Sequence, residues 1–304
     1  MMKRDKQLES NERARQIAKE VYDLARQITA EIQAEHRRPC VRFTLEPGEP
    51  GLLDSKAGGT PYLPPDMAWP LDSGGNGLSL LAQVDCAGLG GLDGFPHTGL
   101  LQFWIAWGDA YGVNFDDLTD PGGFRVLYHE TADPSVTAEE VRAKCPPRPE
   151  SRYDDDWLPV FKTCRIRLSA PAEQGMNELD PRFDRLFVER WNRARPDLRL
   201  EYQWKLHSLV ADRLRDYSAT GQPGWEAPYH QLGGYPYFTQ SDPRPGRYEE
   251  LDTLLFQLDS EMRDTGKGGD LVLWGDCGVA NFFISREALE KRDFSRVAYT
   301  WDCC

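Results

Sequence analysis

The stretch Leu80-Leu81-Ala82-Gln83-Val84-Asp85 has a near copy later in the chain, Leu254-Leu255-Phe256-Gln257-Leu258-Asp259. Each copy is a short apolar run with one amide inside it and one carboxylate at its end. Short apolar runs between turn-forming residues are typical of β-strands in the core of a sheet. The recurrence predicts two equivalent strands in different parts of the chain.

Three further pairs of matching segments surround these strands, in the same order along the chain. The matches are residues 58–63 with 233–238, 99–105 with 278–284, and 125–128 with 296–299. Such a series indicates an internal repeat, because unrelated hairpins would imitate only one match. We predict an α+β fold with an internally duplicated β-rich unit, whose two antiparallel or mixed sheets pack as pseudo-twofold halves.

The repeat divides the chain into four parts. Residues 1–36 are predicted to form an N-terminal amphipathic helix that starts at a Ser10 cap, because apolar residues recur on one helical face at Ile17, Val21, Leu24, Ile28 and Ile32. The other parts are a first repeat at 37–130, a linker with a short helix at 131–157, and a second repeat at 158–304 with a helical insertion at 181–218. The short helix is expected after Thr137, which forms a capping-box pattern with Glu140.

Composition and charge exclude several classes of protein. The chain has 304 residues with a net charge of −13, which disfavours binding to nucleic acid. No apolar run approaches the roughly 20 residues that span a bilayer, and no apolar stretch follows the basic residues at the N-terminus. We therefore expect a cytoplasmic protein that binds neither membrane nor nucleic acid.

The cysteines and histidines form no metal-binding pattern. The seven cysteines include no C-x-x-C pair, and the five histidines include no H-E-x-x-H pattern. Phosphate-binding loops and nucleophile elbows are also missing from the sequence. We predict reduced thiols, no metal, no cofactor and no catalytic residue.

The repeated strands supply the candidate ligand-binding residues. Strand alternation places Gln83 with Asp85, and Gln257 with Asp259, on the same side of each strand. These four side chains would line a cleft between the repeats. The structural alternative is that the amides bond backbone groups and the carboxylates begin turns.

Asp276 is the fifth candidate, since it lies with Cys277 in a turn between Gly275 and Gly278. A cysteine on such a turn can act as a nucleophile if a neighbouring cation lowers its pKa. The alternative is that Asp276 caps the turn. Whether Cys277, Cys303 or Cys304 is reactive stays open at this point.

Segments across most of the chain after the first helix resemble the YwqG family, a bacterial family classed as a domain of unknown function. The matching segments are residues 58–61, 67–70, 81–85, 99–103, 232–236, 254–259, 274–284 and 299–303. The resemblance implies an α+β fold and an intracellular bacterial protein, and it brings no catalytic residues. It also implies a possible role as an immunity protein against a bacterial toxin.

These observations favour a non-enzymatic protein-binding module, with immunity-type antagonism of a toxin as its specific form. The acidic charge predicts a basic protein partner, and the long loops at 46–77 and 144–157 are the candidate contacts. The alternative is an enzyme or small-ligand-binding protein that uses a cleft between the two repeats.

Overall fold

A computed structural model describes residues 2–147, 158–206, 229–263 and 269–303 of the chain. The chain forms two compact units, one from Met1–Arg38 with Gln174–Glu226 and the other from Pro39–Glu173 with Ala227–Cys304. Within the described residues, every helix is too short or too polar to cross a bilayer. The helices with described bounds are α1 (Met2–Glu35), α2 (Ala138–Ala143), α3 (Phe183–Ala194) and α4 (Arg286–Glu290).

The first unit is helical, and the predicted N-terminal helix is confirmed as α1. It begins well before Ser10, so the predicted cap is wrong. Its buried stripe is Ala18, Val21, Ala25, Ile28 and Ile32, while Ile17 is 38% exposed. Small alanines therefore take two of the buried positions.

Helix α3 packs against α1 in the same unit. Phe183, Phe187 and Trp191 recur every four residues and are all buried, as their spacing predicts. Arg190 on α3 donates to the carboxylate of Glu35 at the end of α1. Residues 207–218 of the predicted helical insertion lie outside the described residues.

The second unit is built on one antiparallel sheet of 11 strands. The strands are β1 (Arg37–Pro47), β2 (Lys56–Ala57), β3 (Ser79–Asp85), β4 (Leu100–Ile105), β5 (Phe124–His129), β6 (Cys164–Leu168), β7 (Ala172–Gly175), β8 (Gln231–Gly233), β9 (Thr253–Asp259), β10 (Val279–Ile284) and β11 (Ala298–Asp302). Their order is β11-β10-β9-β8-β1-β6-β2-β3-β4-β5, and β7 pairs with β1 off this path.

The predicted fold class, α+β with two separate sheets packed as duplicated halves, is wrong. Strand β1 joins all the strands into one sheet because it is 11 residues long. Cys40 to Arg42 pair with β8, and Phe43 to Pro47 pair with β6. Sequence similarity between segments does not reveal a strand shared in this way.

The faces of this sheet meet in an aromatic core. Phe103 of β4 stacks on Phe256 of β9 with ring centroids 4.3 Å apart, and Phe282 of β10 lies 5.0 Å from Phe103. The three side chains are fully buried. Burying side chains of this size removes a large apolar area from water, so this contact holds the two halves of the sheet together.

Most of the predicted strands and short helices are confirmed at their sequence positions. Strands β4 and β5 lie at the repeat segments 99–105 and 125–128, and α2 carries the predicted capping box between Thr137 and Glu140. The apolar run at residues 271–274 does not form a strand, because only Val272 forms isolated bridges there, to Val160 and Glu261.

Candidate functional site

A cleft of the second unit lies beside the point where β2 ends. Ala57 pairs with Ala82 of β3 on one side and with Cys164 of β6 on the other. Gly58 and Gly59 then adopt φ values of +66° and +75°, which favour glycine. This turn takes the chain out of the sheet after only two paired residues.

The cleft beside this turn has a volume of about 400 Å³. We call it the β2 cleft. Its lining residues are 58–60, 69, 77–81, 105, 107, 142, 145–147 and 158–163. The lining therefore draws on both loops that the sequence marks as candidate contacts, although residues 148–157 lie outside the described chain.

The charged side chains in the described lining of the β2 cleft are all positive. Arg142 and Lys162 line it and are exposed, and the described lining residues include no carboxylate and no histidine. The Nη1 atom of Arg142 lies 3.5 Å from the Oγ1 atom of Thr60 at the turn. The chain as a whole is acidic, with a net charge of −13, so the described lining differs from it in the sign of its charge.

Helix α2 positions Arg142 on one wall. The neighbouring Val141 is fully buried in a cluster with Leu80 and Trp104 of the sheet. Lys144 then donates hydrogen bonds to the carbonyl oxygens of Pro64, Pro65 and Met67. These contacts fix α2 and the loop below it as one wall.

The opposite wall is the segment before β6. The N–H of Phe161 donates to the Leu271 carbonyl at 3.0 Å, and the N–H of Leu273 donates to the Pro159 carbonyl at 2.8 Å. The Phe161 side chain is 49% exposed, which is unusual for a large apolar residue. The wall thus combines a fixed backbone with an accessible aromatic ring.

A buried lysine holds the turn that lines the cleft. Lys56 is 1% exposed, and its Nζ atom donates to the carbonyl oxygens of Gly51, Leu52 and Thr60. Burial lowers the pKa of Lys56 to about 8, against the opposing effect of the Asp54 carboxylate. Sequence reasoning missed this residue, because a lysine next to a Gly-Gly pair normally indicates an exposed turn.

The two predicted glutamines are buried and bonded to backbone. The Oε1 atom of Gln83 accepts from the Tyr62 N–H at 2.9 Å, and its Nε2 atom donates to the carbonyls of Leu52 and Asp54. The Oε1 atom of Gln257 accepts from the Tyr237 N–H at 2.7 Å. Each amide therefore fixes the chain that follows a Gly-Gly pair.

The three predicted carboxylates lie apart from the β2 cleft. Asp85 caps a short 3₁₀ helix by accepting from the Ala87 N–H, and Asp276 is exposed in its turn. Asp259 is buried and accepts from the N–H groups of Tyr229 and Ser260, and burial raises its pKa. None of the five predicted residues lines the cleft, so their role in ligand binding stays a prediction.

A buried histidine network lies next to Asp259. The Nδ1 atom of His230 accepts from the Asp259 N–H, so the proton sits on Nε2 and is donated to Glu261 at 3.1 Å. Burial acts to raise the pKa of Glu261, but hydrogen bonds from His230 and Arg263 outweigh it and lower that pKa. Both nitrogens of His230 are occupied, so this network has a structural role.

The described cysteines are all free. Burial raises the pKa of Cys86 to about 12, which keeps this thiol protonated. The Cys303 sulfur lies over Gly275, where an added Cβ atom would meet it at 2.7 Å. Within the described part of the chain, no three His, Cys, Asp or Glu side chains are grouped to hold a metal ion.

The fold and the site define a class: an antiparallel β protein with a cation-lined cleft where one of its strands stops early. The chain belongs to the family described as a domain of unknown function (DUF1963), whose model matches residues 55–303. The matched region includes every residue that lines the cleft. No curated protein is significantly similar to the chain in sequence.

Proposed function

We propose that this protein is a non-enzymatic binding protein whose β2 cleft receives an acidic group of its partner. The observation that supports this proposal is the pair Arg142 and Lys162 in a cleft whose described lining contains no carboxylate. A concave site excludes part of the solvent, so a charge pair inside it is stronger than one on an open surface. The cleft's volume lies within the range of ordinary ligand sites.

The chemistry of the lining favours binding over catalysis. Cys145 is the strongest nucleophile among the described lining residues, and no histidine or carboxylate lies beside it in the lining to act as a base. The cations are held on two fixed walls, which suits recognition of a preformed shape. The protein therefore acts as an adaptor or antagonist of a protein partner.

Antagonism of a toxin is the specific form of this proposal that the resemblance to the YwqG family suggests. A cytoplasmic location belongs to the same proposal, and the free described cysteines are consistent with it. An immunity protein has to contact its toxin over a specific surface. The β2 cleft would supply the acidic-group contact within that surface.

A basic partner held at the acidic exterior is the second candidate. The observation that favours it is Phe115, which is 56% exposed and lies next to Asp116 and Asp117 in sequence. An aromatic residue beside carboxylates is a suitable contact for a basic protein. Under this alternative, the cations of the cleft would not matter for binding.

A matched pair of variants tests the proposed function. The cleft variant carries Arg142→Gln and Lys162→Gln. The control, called the α4 control, carries Arg286→Gln on α4 and Lys291→Gln at its C-cap. Both remove two exposed positive charges, so their net charges are equal. The tagged full-length proteins are used to capture partners from the lysate of the native host, and the captured proteins are quantified by mass spectrometry.

We expect the wild type and the control to capture the same partner in similar amounts. The cleft variant should capture at least tenfold less of it. Equal capture by all three proteins would refute the role of the cleft. If capture is lost at raised salt and with Phe115→Ser, but not with the cleft variant, the result would support the basic partner instead.

A further inference from the structure

We infer that the outer edge of β5 receives an acidic, extended segment of a protein partner as an added strand. This inference goes beyond the proposed function, because the site lies at one end of the sheet and shares no residue with the described lining of the β2 cleft. The main observation is a groove along β5 whose charged lining residues are both arginines.

Strand β5 ends the sheet, and its described strand partner is β4. The N–H of Ala106 donates to the carbonyl of Gly123, which extends the register of this pair by one residue. Successive residues of an antiparallel strand alternate between bonding the neighbouring strand and facing away from it. The backbone groups of Phe124, Val126 and Tyr128 therefore point away from β4.

The outward backbone groups of β5 differ from one end of the strand to the other. Arg125 donates from its guanidinium to the Phe124 carbonyl at 2.6 Å. Within the described chain, the outward N–H and carbonyl groups of Val126 and Tyr128 have no hydrogen-bond partner. An edge of this kind is the template on which an extended peptide adds as a further strand.

The groove beside this edge has a volume of about 540 Å³. One side is the run from Phe124 to Tyr128, and the other comes from residues 292–297, which connect α4 to β11. Successive strand residues point to opposite faces, so a groove that touches five of them in a row follows the edge. This run is about 13 Å long by the standard strand rise, and the volume accommodates about three extended residues.

The two arginines lie toward opposite ends of the groove. Arg125 is next to Phe124, while Arg292 is two residues before Phe294, whose ring lies 5.9 Å from that of Tyr128. Their guanidinium groups donate to backbone carbonyl oxygens, and neither forms an ion pair with a described residue. The described lining therefore carries a positive charge at each end.

Two carboxylates are close to these arginines but do not line the groove. Asp120 acts on Arg125, and Asp293 follows Arg292 in sequence. Each carboxylate accepts a hydrogen bond from the backbone N–H two residues further on. They therefore have the turn-forming role that is common for aspartate.

The backbone of Arg292 is a second observation that draws attention to this residue. It follows Lys291, the C-cap of α4, and has a φ of +59°. Glycine is the usual residue at this position, because a side chain is strained there. Strain of this kind is found most often at functional sites.

The charges decide which kind of strand fits the groove. A second copy of the chain would pair β5 with β5 in antiparallel fashion and bring Arg125 of each copy close to Arg292 of the other, where like charges repel. A partner segment with a carboxylate toward each end and apolar residues between them is complementary to the same groove. Its apolar side chains would contact Phe294 and Val297 of the lining.

Selection of random heptapeptides on immobilised full-length protein is the first part of the test. The groove variant carries Arg125→Gln and Arg292→Gln, and the cleft variant and the α4 control remove the same charge elsewhere. We expect a class of enriched peptides with acidic residues around an apolar centre. Its enrichment should fall at least tenfold on the groove variant and stay unchanged on the other two proteins.

Amide hydrogen exchange of the wild type is the second part, and it does not depend on the folding of the groove variant. The most enriched heptapeptide of this class is synthesised and added at saturating concentration. The amides of Val126 and Tyr128 should then exchange at least tenfold more slowly, because an added strand accepts hydrogen bonds from them. The amides of Arg125 and Leu127 already face β4, so their exchange should not change.

Failure of any acidic heptapeptide to enrich would overturn the inference, as would unchanged exchange at Val126 and Tyr128. Equal slowing at residues 125–128 would also overturn it, because only an added strand protects alternate amides of β5. If the peptides lose enrichment on the cleft variant alone, the inference is refuted and the proposed function stands.

Discussion

The chain uses the same Gly-Gly turn twice, at Gly58-Gly59 and at Gly233-Gly234, with opposite surroundings. All four glycines have φ values between +66° and +75°. Both turns follow a short strand and precede a Pro-Tyr pair whose tyrosine N–H donates to a buried glutamine. The first turn is exposed at Gly59 and lines the β2 cleft, whereas the second is fully buried.

Leu92 accounts for the burial of the second turn. Its side-chain methyl groups lie 3.3 and 3.5 Å from where a Cβ atom on Gly233 would stand, and Leu92 itself is 1% exposed. At the first turn, the side chains of Val160 and Thr163 pack against the glycines, and both residues also line the cleft. The turn at Gly233-Gly234 is thus buried by packing, whereas the same turn at Gly58-Gly59 stays accessible and borders the β2 cleft.

The largest expected effect is on the buried turn. Gly233→Ala should lower the free energy of unfolding by about 4 kcal/mol. Alanine would be held in a left-handed backbone conformation, and its Cβ atom would meet a backbone carbonyl that cannot move away. That carbonyl, of Pro39, is 2.7 Å away. Gly59→Ala should cost about 2 kcal/mol, because its close neighbour is only the Thr163 side chain.

Gly75→Ala serves as the control for this pair. Its φ is +84° with nothing within 4 Å of the new Cβ atom, so it measures backbone strain alone. We expect a cost of about 1 kcal/mol. Urea unfolding followed by circular dichroism measures all three variants, and a Gly59→Ala cost equal to that of Gly233→Ala would end the distinction between the turns.

The second prediction removes the side chain that closes the buried turn. Leu92→Ala should destabilise the protein by about 3 kcal/mol through the lost transfer energy and the cavity left behind. It should also speed amide hydrogen exchange at residues 233–235. A cost under 1 kcal/mol would mean that the turn is buried for another reason.

The third prediction concerns Lys56, which fixes only the open turn. Its folded pKa of about 8 lies below the ordinary value of 10.5. The unfolded chain therefore binds more protons between these pH values, and stability should rise with pH there. Below pH 8, the buried ammonium lowers the free energy of unfolding by its full amount. Above pH 8 the amine loses its proton, so the free energy of unfolding should have risen by about 2 kcal/mol at pH 9.5.

Urea unfolding at pH 7 and pH 9.5 checks the sign. The thiols also titrate in this range, so the relevant quantity is the difference between the wild type and Lys56→Met. Lys56→Arg is the matched control, because a guanidinium stays charged and should show no such gain. A wild type that loses stability relative to Lys56→Met on going to pH 9.5 would contradict the buried ammonium.

The smallest effect on stability is expected in the cleft itself. The variant with Arg142→Gln and Lys162→Gln should unfold within about 0.5 kcal/mol of the wild type, because both side chains are exposed. The same variant should lose its partner. If this variant lost as much stability as Gly233→Ala, Arg142 and Lys162 would have a structural role. The difference between the two turns would then say nothing about function.

Local sequence patterns predicted the elements well and their arrangement poorly. The runs around Gln83 and Gln257 are strands because apolar residues surround one amide, and the Thr137 capping box starts α2 as expected. The continuity of the sheet depends on β1, whose neighbours are far away in sequence. Pairing between strands so far apart in the chain produces no periodic pattern in the sequence from which it could be predicted.

The candidate site shows the same limit. The repeated amide and carboxylate attract attention in the sequence, yet they bond backbone groups. Arg142 and Lys162 lie in polar segments, in which a lysine or arginine is normally predicted to be solvent-exposed. Their significance comes from the early end of β2, and a strand of two residues has no sequence signature. The Gly-Gly pair was the one available signal, because two glycines after a short apolar run often end a strand.

The length of β1 also has a consequence for synthesis of the chain. Cys40 in this 11-residue strand pairs with Gly233, roughly 190 residues further on. At ordinary translation rates, β1 waits on the order of 10 to 40 s before that partner leaves the ribosome. β6 emerges earlier and can pair with one edge of β1, but the edge that pairs with β8 stays open for the whole interval. An open strand edge of this kind favours chaperone binding and aggregation.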